Sequence, residues 1–176
     1  MRRVRYNVAA SLDGYIATPD GGYDWIPNDP TVDFAGLFAK VDTVLLGRQT
    51  YELTKKLGGG PWPKGSRVFV FSTTLRSHEH PDVTVVHSDS AKIVAALRAE
   101  RGDGEIWLFG GGHLFSSLLS AGQVDRVEVT IVPVLLGGGV PLNLPGTPQT
   151  PLKLVDTKQY PSGMVTLNYD VQGASR

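Results

Sequence analysis

The sequence contains no cysteine. That excludes disulfides, thiolate nucleophiles and sulfur-built zinc sites, and it suits a reducing compartment. Net charge is absent too, because seventeen basic side chains balance seventeen acidic ones. Such a balance gives no purchase on nucleic acid or an anionic membrane, and the small cluster Arg2, Arg3 and Arg5 does not alter it. Histidine is scarce, and His78, His80, His87 and His113 show no ligand spacing, so no metal is expected. Long apolar runs are missing as well. The longest uncharged stretch, 129–152, is broken by five prolines and four glycines, which would strand backbone polar groups in lipid. The opening "MRRVRYNVAASLDG" alternates charged with apolar residues and meets Asp13-Gly14 too early for a secretion-signal core. A cytoplasmic protein is expected.

What remains is a chain of 176 residues, 41% hydrophobic, enough for one well-buried domain. That domain is expected to span 1–172, with 173–176 as a flexible tail. Short β-branched or aromatic runs at 4–10, 41–47, 67–72, 83–88 and 105–110 read as strands. Between them, helical spacing marks 33–40, 49–57, 90–101 and 113–121, with Asp89 or Ser90 as an N-cap. Alternating strands and helices predict an α/β fold with a mostly parallel central sheet. The pattern then changes. A strand over 126–136, a Gly/Pro-rich passage, and two strands around Pro161-Ser162-Gly163 predict an antiparallel finish.

Two strand-to-helix junctions carry glycine: "VLLGRQTYE" (44–52) and "EIWLFGGGHLFSSLL" (105–119). A helix start presents unpartnered N–H groups and partial positive charge, and glycine lets a ligand reach that backbone. Gly110-Gly111-Gly112 therefore reads as a pyrophosphate cradle or as a tight packing turn. Arg48 and Thr50 add donors at the first junction. Ser72 and Thr73, in "FVFSTT" (69–74), suit a phosphate monoester or ordinary turn chemistry. This is not a Rossmann fingerprint, since the glycines are consecutive and follow the fifth strand.

In order along the chain, "SLDGYIA" (11–17), "GRQTYE" (47–52), "FGGGHLF" (109–115) and "PVLLGGGVPL" (133–142) resemble the dihydrofolate reductase superfamily, in its branch similar to the reductase domain of riboflavin biosynthesis. The resemblance covers nearly the whole chain. It implies a three-layer dihydrofolate reductase-like fold with flanking helices, an NADPH cofactor and a small-molecule substrate. It places Gly47, Arg48, Gln49 and Thr50 at the adenosine-phosphate side and Ser72 and Thr73 at the 2′-phosphate. Gly110, Gly111, Gly112, His113 and Leu114 fall at the pyrophosphate, Ala10 and Ile16 beside the nicotinamide, and Thr18 to Trp25 in a mobile lid. A homodimer is implied as well, with the C-terminal strands as its surface.

Substrate residues are less well marked. Asp33 is the nearest match to the carboxylate that grips a pterin, though its spacing to Gly47-Arg48 departs by about two residues from that family's. Asp24 and Asp29 are neighbours that could replace it, and all three could simply cap helices or face solvent. Trp25 and Phe109 are candidate pocket residues; Trp107 reads as core and Trp62 as loop packing. Asp13 reads as a turn residue bonding the local backbone. The expectation is an NADPH-dependent reductase acting on a small heteroaromatic or carbonyl compound, of the 5-amino-6-(5-phosphoribosylamino)uracil reductase type or related. A true dihydrofolate reductase and an NADPH-binding protein without turnover are the alternatives.

Overall fold

The computed structural model of the chain describes residues 1–173. The expected tail thus lies, from 174 on, outside the described residues. In chain order the elements are β1 (Val4–Ser11), β2 (Tyr15–Ala17), α1 (Phe34–Phe38), β3 (Val41–Gly47), α2 (Arg48–Lys56), β4 (Arg67–Phe71) and β5 (Thr84–Val86). They continue with α3 (Ser90–Ala99), β6 (Glu105–Gly110), α4 (Gly112–Ser120), β7 (Arg126–Val132), β8 (Val140–Pro141), β9 (Leu152–Gln159) and β10 (Val165–Val171).

Eight strands form one sheet in the order β5-β4-β3-β6-β1-β7-β10-β9, and β2 pairs with β8 as a small separate ribbon. From β5 to β7 all pairings are parallel. β10 and β9 complete the sheet antiparallel, as the sequence predicts. β7 stops at Val132 rather than running on to 136, because Pro133 has no N–H to give to a ladder. The β2–β8 ribbon is not visible in the sequence pattern; its strands of three and two residues are too short to show a period.

Alternate residues of each central strand supply two cores, one per face of the sheet. Leu45, Ile106 and Leu108 meet α3 and α4 on one face, through Val94, Leu97, Phe115 and Leu118. Val44, Leu46 and Trp107 meet α2 on the other, through Tyr51, with Phe38 of α1 against them. Trp107 is 2% exposed, and truncating it to alanine would cost about 3–5 kcal/mol.

The helices divide between faces for a topological reason. A parallel crossover is right-handed, so connections running one way along the sheet fall on one face and those running back fall on the other. From β3 the chain goes outward over α2 to β4. From β6 it goes the opposite way over α4 to β7. β3 and β6 are neighbours, so the crossover direction reverses between them, and a crevice opens past their carboxyl ends.

Candidate functional site

Both predicted glycine junctions lie at that crevice. Gly47 is the N-cap of α2 and Gly111 the N-cap of α4, and neither cap makes a side-chain hydrogen bond to its helix. The first-turn N–H groups of two helices are thus left without the usual Ser, Thr or Asp cap. The junctions also touch. A methyl group added at Gly47 would lie 3.7 Å from the Gly111 nitrogen, and one at Gly111 would lie 3.3 Å from Thr50 Oγ1. Gly110 has φ of +142°, a conformation open to glycine, and its peptide bond to Gly111 is cis. Gly112 differs from its neighbours: it is buried, and a Cβ there would meet the Pro141 carbonyl oxygen at 2.6 Å. Its lack of a side chain serves packing against β8, while Gly110 and Gly111 keep the crevice clear.

Polar groups surround this double helix start. Arg48 and Gln49 are exposed and Thr50 is half-buried. The Arg48 guanidinium lies 3.7 Å from Glu52, one turn along α2, with both side chains nearly half exposed. Ser72 follows β4, the next strand outward. Its Oγ accepts from Thr74 N (3.2 Å) and Leu75 N (3.0 Å) and lies 3.4 Å from Thr74 Oγ1, so the turn reading accounts for its bonds, and the exposed Thr73 stands at the rim. His113 is exposed on the first turn of α4, whereas Leu114 is buried, so only the Leu114 backbone can face the crevice.

On the far side stands the end of β1. Ala10 is fully buried in the core, which leaves any contact with a ligand to its backbone, and Ile16 packs half-buried against the same core. Asp13 corrects the sequence reading. Its carboxylate accepts from Ser11 Oγ (2.6 Å), but its backbone partners are remote: Leu136 N at 3.1 Å and Gly137 N at 2.7 Å. The Ser11 hydroxyl foremost, with those two amides, holds its carboxyl below the usual carboxylate range. Leu12 N to Val134 O and Leu142 N to Gly14 O, both 2.9 Å, complete the clasp. The two motifs 11–17 and 133–142 are therefore one structure, wrapped around the carboxyl ends of β1 and β7.

The expected lid is a turn bonded to itself. Thr18 N donates to Gly22 O and Gly21 N to Thr18 O, both at 2.9 Å, Thr18 Oγ1 donates to Asp20, and Trp25 Nε1 donates to Gly22 O at 3.3 Å. Of the three candidate acids, Asp24 is exposed. Asp29 is a staple: buried, it accepts from Thr31 N (2.9 Å), Thr31 Oγ1 (2.6 Å) and Ser162 N (3.2 Å), tying the segment before α1 to the β9–β10 turn. Bonds from Ser162 and Thr31 hold its carboxyl down at about 2. Asp33 is exposed and caps α1, accepting from Gly36 N at 2.8 Å. A Cβ at Gly36 would crowd that carboxylate.

One surface went unrecognised in the sequence. Phe34, Phe38, Pro61, Trp62 and Pro63 line an open groove of about 580 Å³ between α1 and the loop after α2. Phe109, expected in a pocket, sits behind it with its ring edge-on to Trp62 at 5.9 Å and to Trp107 at 4.9 Å. Trp62 is thus more than loop packing, whereas Trp107 is core as expected. The groove joins residues some 25 positions apart, and no local pattern announces it. Among the described residues, no cluster of three or more His, Asp or Glu side chains is placed to hold a metal ion, and no helix is long and apolar enough to cross a membrane.

Residues 2–166 match the family described as the RibD C-terminal domain. The uncharacterised protein YwjB of Bacillus subtilis is 33% identical over 162 residues, spanning 90% of this chain and 92% of its own. A Shewanella sp. PV-4 protein assigned provisionally to riboflavin biosynthesis superposes with a TM-score of 0.82 at 29% identity, covering 98% and 99% of the two chains. The Thermotoga maritima diaminohydroxyphosphoribosylaminopyrimidine deaminase/5-amino-6-(5-phosphoribosylamino)uracil reductase gives 0.71 at 22% identity, over 97% of this chain and 56% of that one. Dihydrofolate reductase of Enterococcus faecalis, solved with NADP(H), shares the fold at 0.66 and 21% identity, over 97% and 96%.

Proposed function

The chain belongs to the RibD C-terminal domain family, and from that premise we propose that it is an NADPH-dependent reductase delivering hydride to a small heteroaromatic or carbonyl substrate. The observation that carries this reading is the pair of uncapped helix starts meeting at the point where crossover direction reverses. The residues present fit a dinucleotide: bare backbone at Gly110 and Gly111 and first-turn N–H groups of α2 and α4 suit a pyrophosphate, and the glycines leave the approach clear. Arg48, Ser72 and Thr73 would hold the 2′-phosphate, and the clasp of 11–17 with 133–142 would position the wall at Ala10 and Ile16. When bound, the cofactor supplies the hydride; the protein's part is to orient it and exclude water.

Cofactor titration tests the reading. NADPH binds more tightly than NADH, and Arg48→Ala weakens NADPH by roughly 10- to 150-fold, the equivalent of about 1.5–3 kcal/mol for a charge-assisted hydrogen bond, with little change for NADH. Equal affinities in the unmutated protein would sink the proposal. Turnover of NADPH with a panel of pteridines, pyrimidines and quinones separates an enzyme from a binding protein. Dihydrofolate is expected to be a poor member of that panel, because the Asp33 carboxylate is exposed and engaged in capping α1. The reading includes a homodimer. β9 is an edge strand exposed along its whole length, with Leu152, Leu154 and Val155 among the exposed apolar residues, and it suits pairing with a second copy. Light scattering at twice 18.9 kDa is the expected result, and the monomer mass at high concentration would contradict it.

A further inference from the structure

The groove between α1 and the loop after α2 has a composition that limits what it can hold. Its lining includes Phe34, Phe38, Pro61, Trp62 and Pro63 and contains no charged side chain. Its volume, about 580 Å³, falls within the range of roughly 300–1,000 Å³ usual for small-molecule sites. Phe34 is 55% exposed, an unusual place for a phenylalanine on a five-residue helix. The rings behind it form a continuous column. Phe34 stacks toward Phe38 at 6.2 Å, Phe38 on Trp107 at 4.3 Å, Trp107 meets Phe109 at 4.9 Å, and Phe109 meets Trp62 at 5.9 Å. Phe109 directly precedes Gly110, so the column ends one residue from the glycine run.

We infer that this groove receives the flat face of an uncharged, unphosphorylated ring system, stacked against Phe34 and Trp62. The inference deepens the proposed reductase reading and rests on it for the hydride, but not for binding. Aromatic walls favour planar π-systems through stacking and burial. A phosphate dianion needs cationic or amide donors, and the lining offers no cation. The substrate class here therefore differs from the phosphoribosylated uracil in the description of the Thermotoga enzyme. In that respect the groove is a specificity element: it selects for the ring and gives nothing to a sugar phosphate.

Riboflavin and riboflavin 5′-phosphate make a suitable probe pair, since they share one ring and differ by the phosphate. Both are titrated against the cofactor-free protein by quenching of flavin fluorescence, with NADPH titrated separately. Riboflavin is expected to bind at least as tightly as its phosphate ester, and added inorganic phosphate should not compete. Phe34→Ala, a surface change that spares the core, should weaken riboflavin about five- to tenfold and leave NADPH affinity unchanged. Trp62→Leu should do the same in a protein that melts normally. The inference is overturned if riboflavin fails to bind, if the phosphate ester binds tenfold tighter, or if both variants bind riboflavin as the parent does. Riboflavin binding with these sensitivities but no NADPH binding would overturn the reductase reading and leave the groove's assignment standing.

Discussion

The two ends of the parallel sheet are finished in opposite ways. Where the strands begin, charges close the edge. Arg2, 4% exposed, reaches Asp42, Glu100 and the Gly104 carbonyl; Arg67 bonds Glu100 at 2.6 Å; Arg98, 3% exposed, bonds Asp125 at 2.6 Å. Asp125 also accepts from Val4 N, so the same network fixes the start of β1. Where the strands end, α2 and α4 start on glycines without side-chain caps, and Arg48, Gln49, Thr73 and His113 nearby are exposed. A fold that pairs its charges at one edge and starts two helices without side-chain caps at the other separates holding the sheet together from meeting a ligand.

That division can be broken from either side. The largest effect is expected at the closed edge. Arg98→Ala leaves Asp125 partly buried without its strongest partner and should cost about 3 kcal/mol of stability in denaturant unfolding, with NADPH affinity unchanged under native conditions. A parallel fall in NADPH affinity would show the two edges to be coupled. At the open edge the order reverses. Gly111→Val puts a branched side chain beside Thr50 Oγ1 and across the approach to the backbone, and is expected to lower NADPH affinity by roughly 100-fold, about 2.7 kcal/mol, with a smaller loss of melting temperature. Normal affinity in a normally folded Gly111→Val protein would return the glycine run to a packing role.

A smaller, pH-dependent effect sharpens the comparison. Asp29 serves structure although it lies near the open side, and its carboxyl is lowered in the folded state to about 2 from an ordinary value of 3.8. Its contribution is therefore complete above the ordinary carboxylate range and is lost as the pH falls from about 4 toward 2. Asp29→Asn should flatten that part of the acid-unfolding curve and leave the curve above pH 5 parallel to the parent's. An unchanged acid limb would mean that the bonds from Ser162 and Thr31 do not govern the titration.

How far these features could be read in advance follows from their range along the chain. Both junctions are local: a β-branched run, a glycine and a helical period occupy some ten residues, so Gly47 and Gly111 were legible as helix starts. Ser72 and Asp33 were legible as local turn and cap chemistry for the same reason. The Asp13 clasp was not, because its two backbone partners lie 123 and 124 residues further on. Asp29 bonds Ser162 across 133 residues. The groove depends on Phe34 and Trp62 being brought together by the packing of α1 and the loop after α2 on one face of the sheet. β2 and β8 were illegible through brevity, and β7 ended early because Pro133 outweighed the apolar run that continues past it.

The position of β1 has a consequence for how the molecule comes into being. β1 is synthesised before both of the strands it lies between, β6 and β7, with Val4 beside Ile106 and Ser11 beside Val132. Until β7 is made, from Arg126 on, one side of β1 has no ladder partner, and before Ile106 it has neither. β1 must therefore wait as an unpaired strand, which favours slow, late assembly and exposes the growing protein to misassociation.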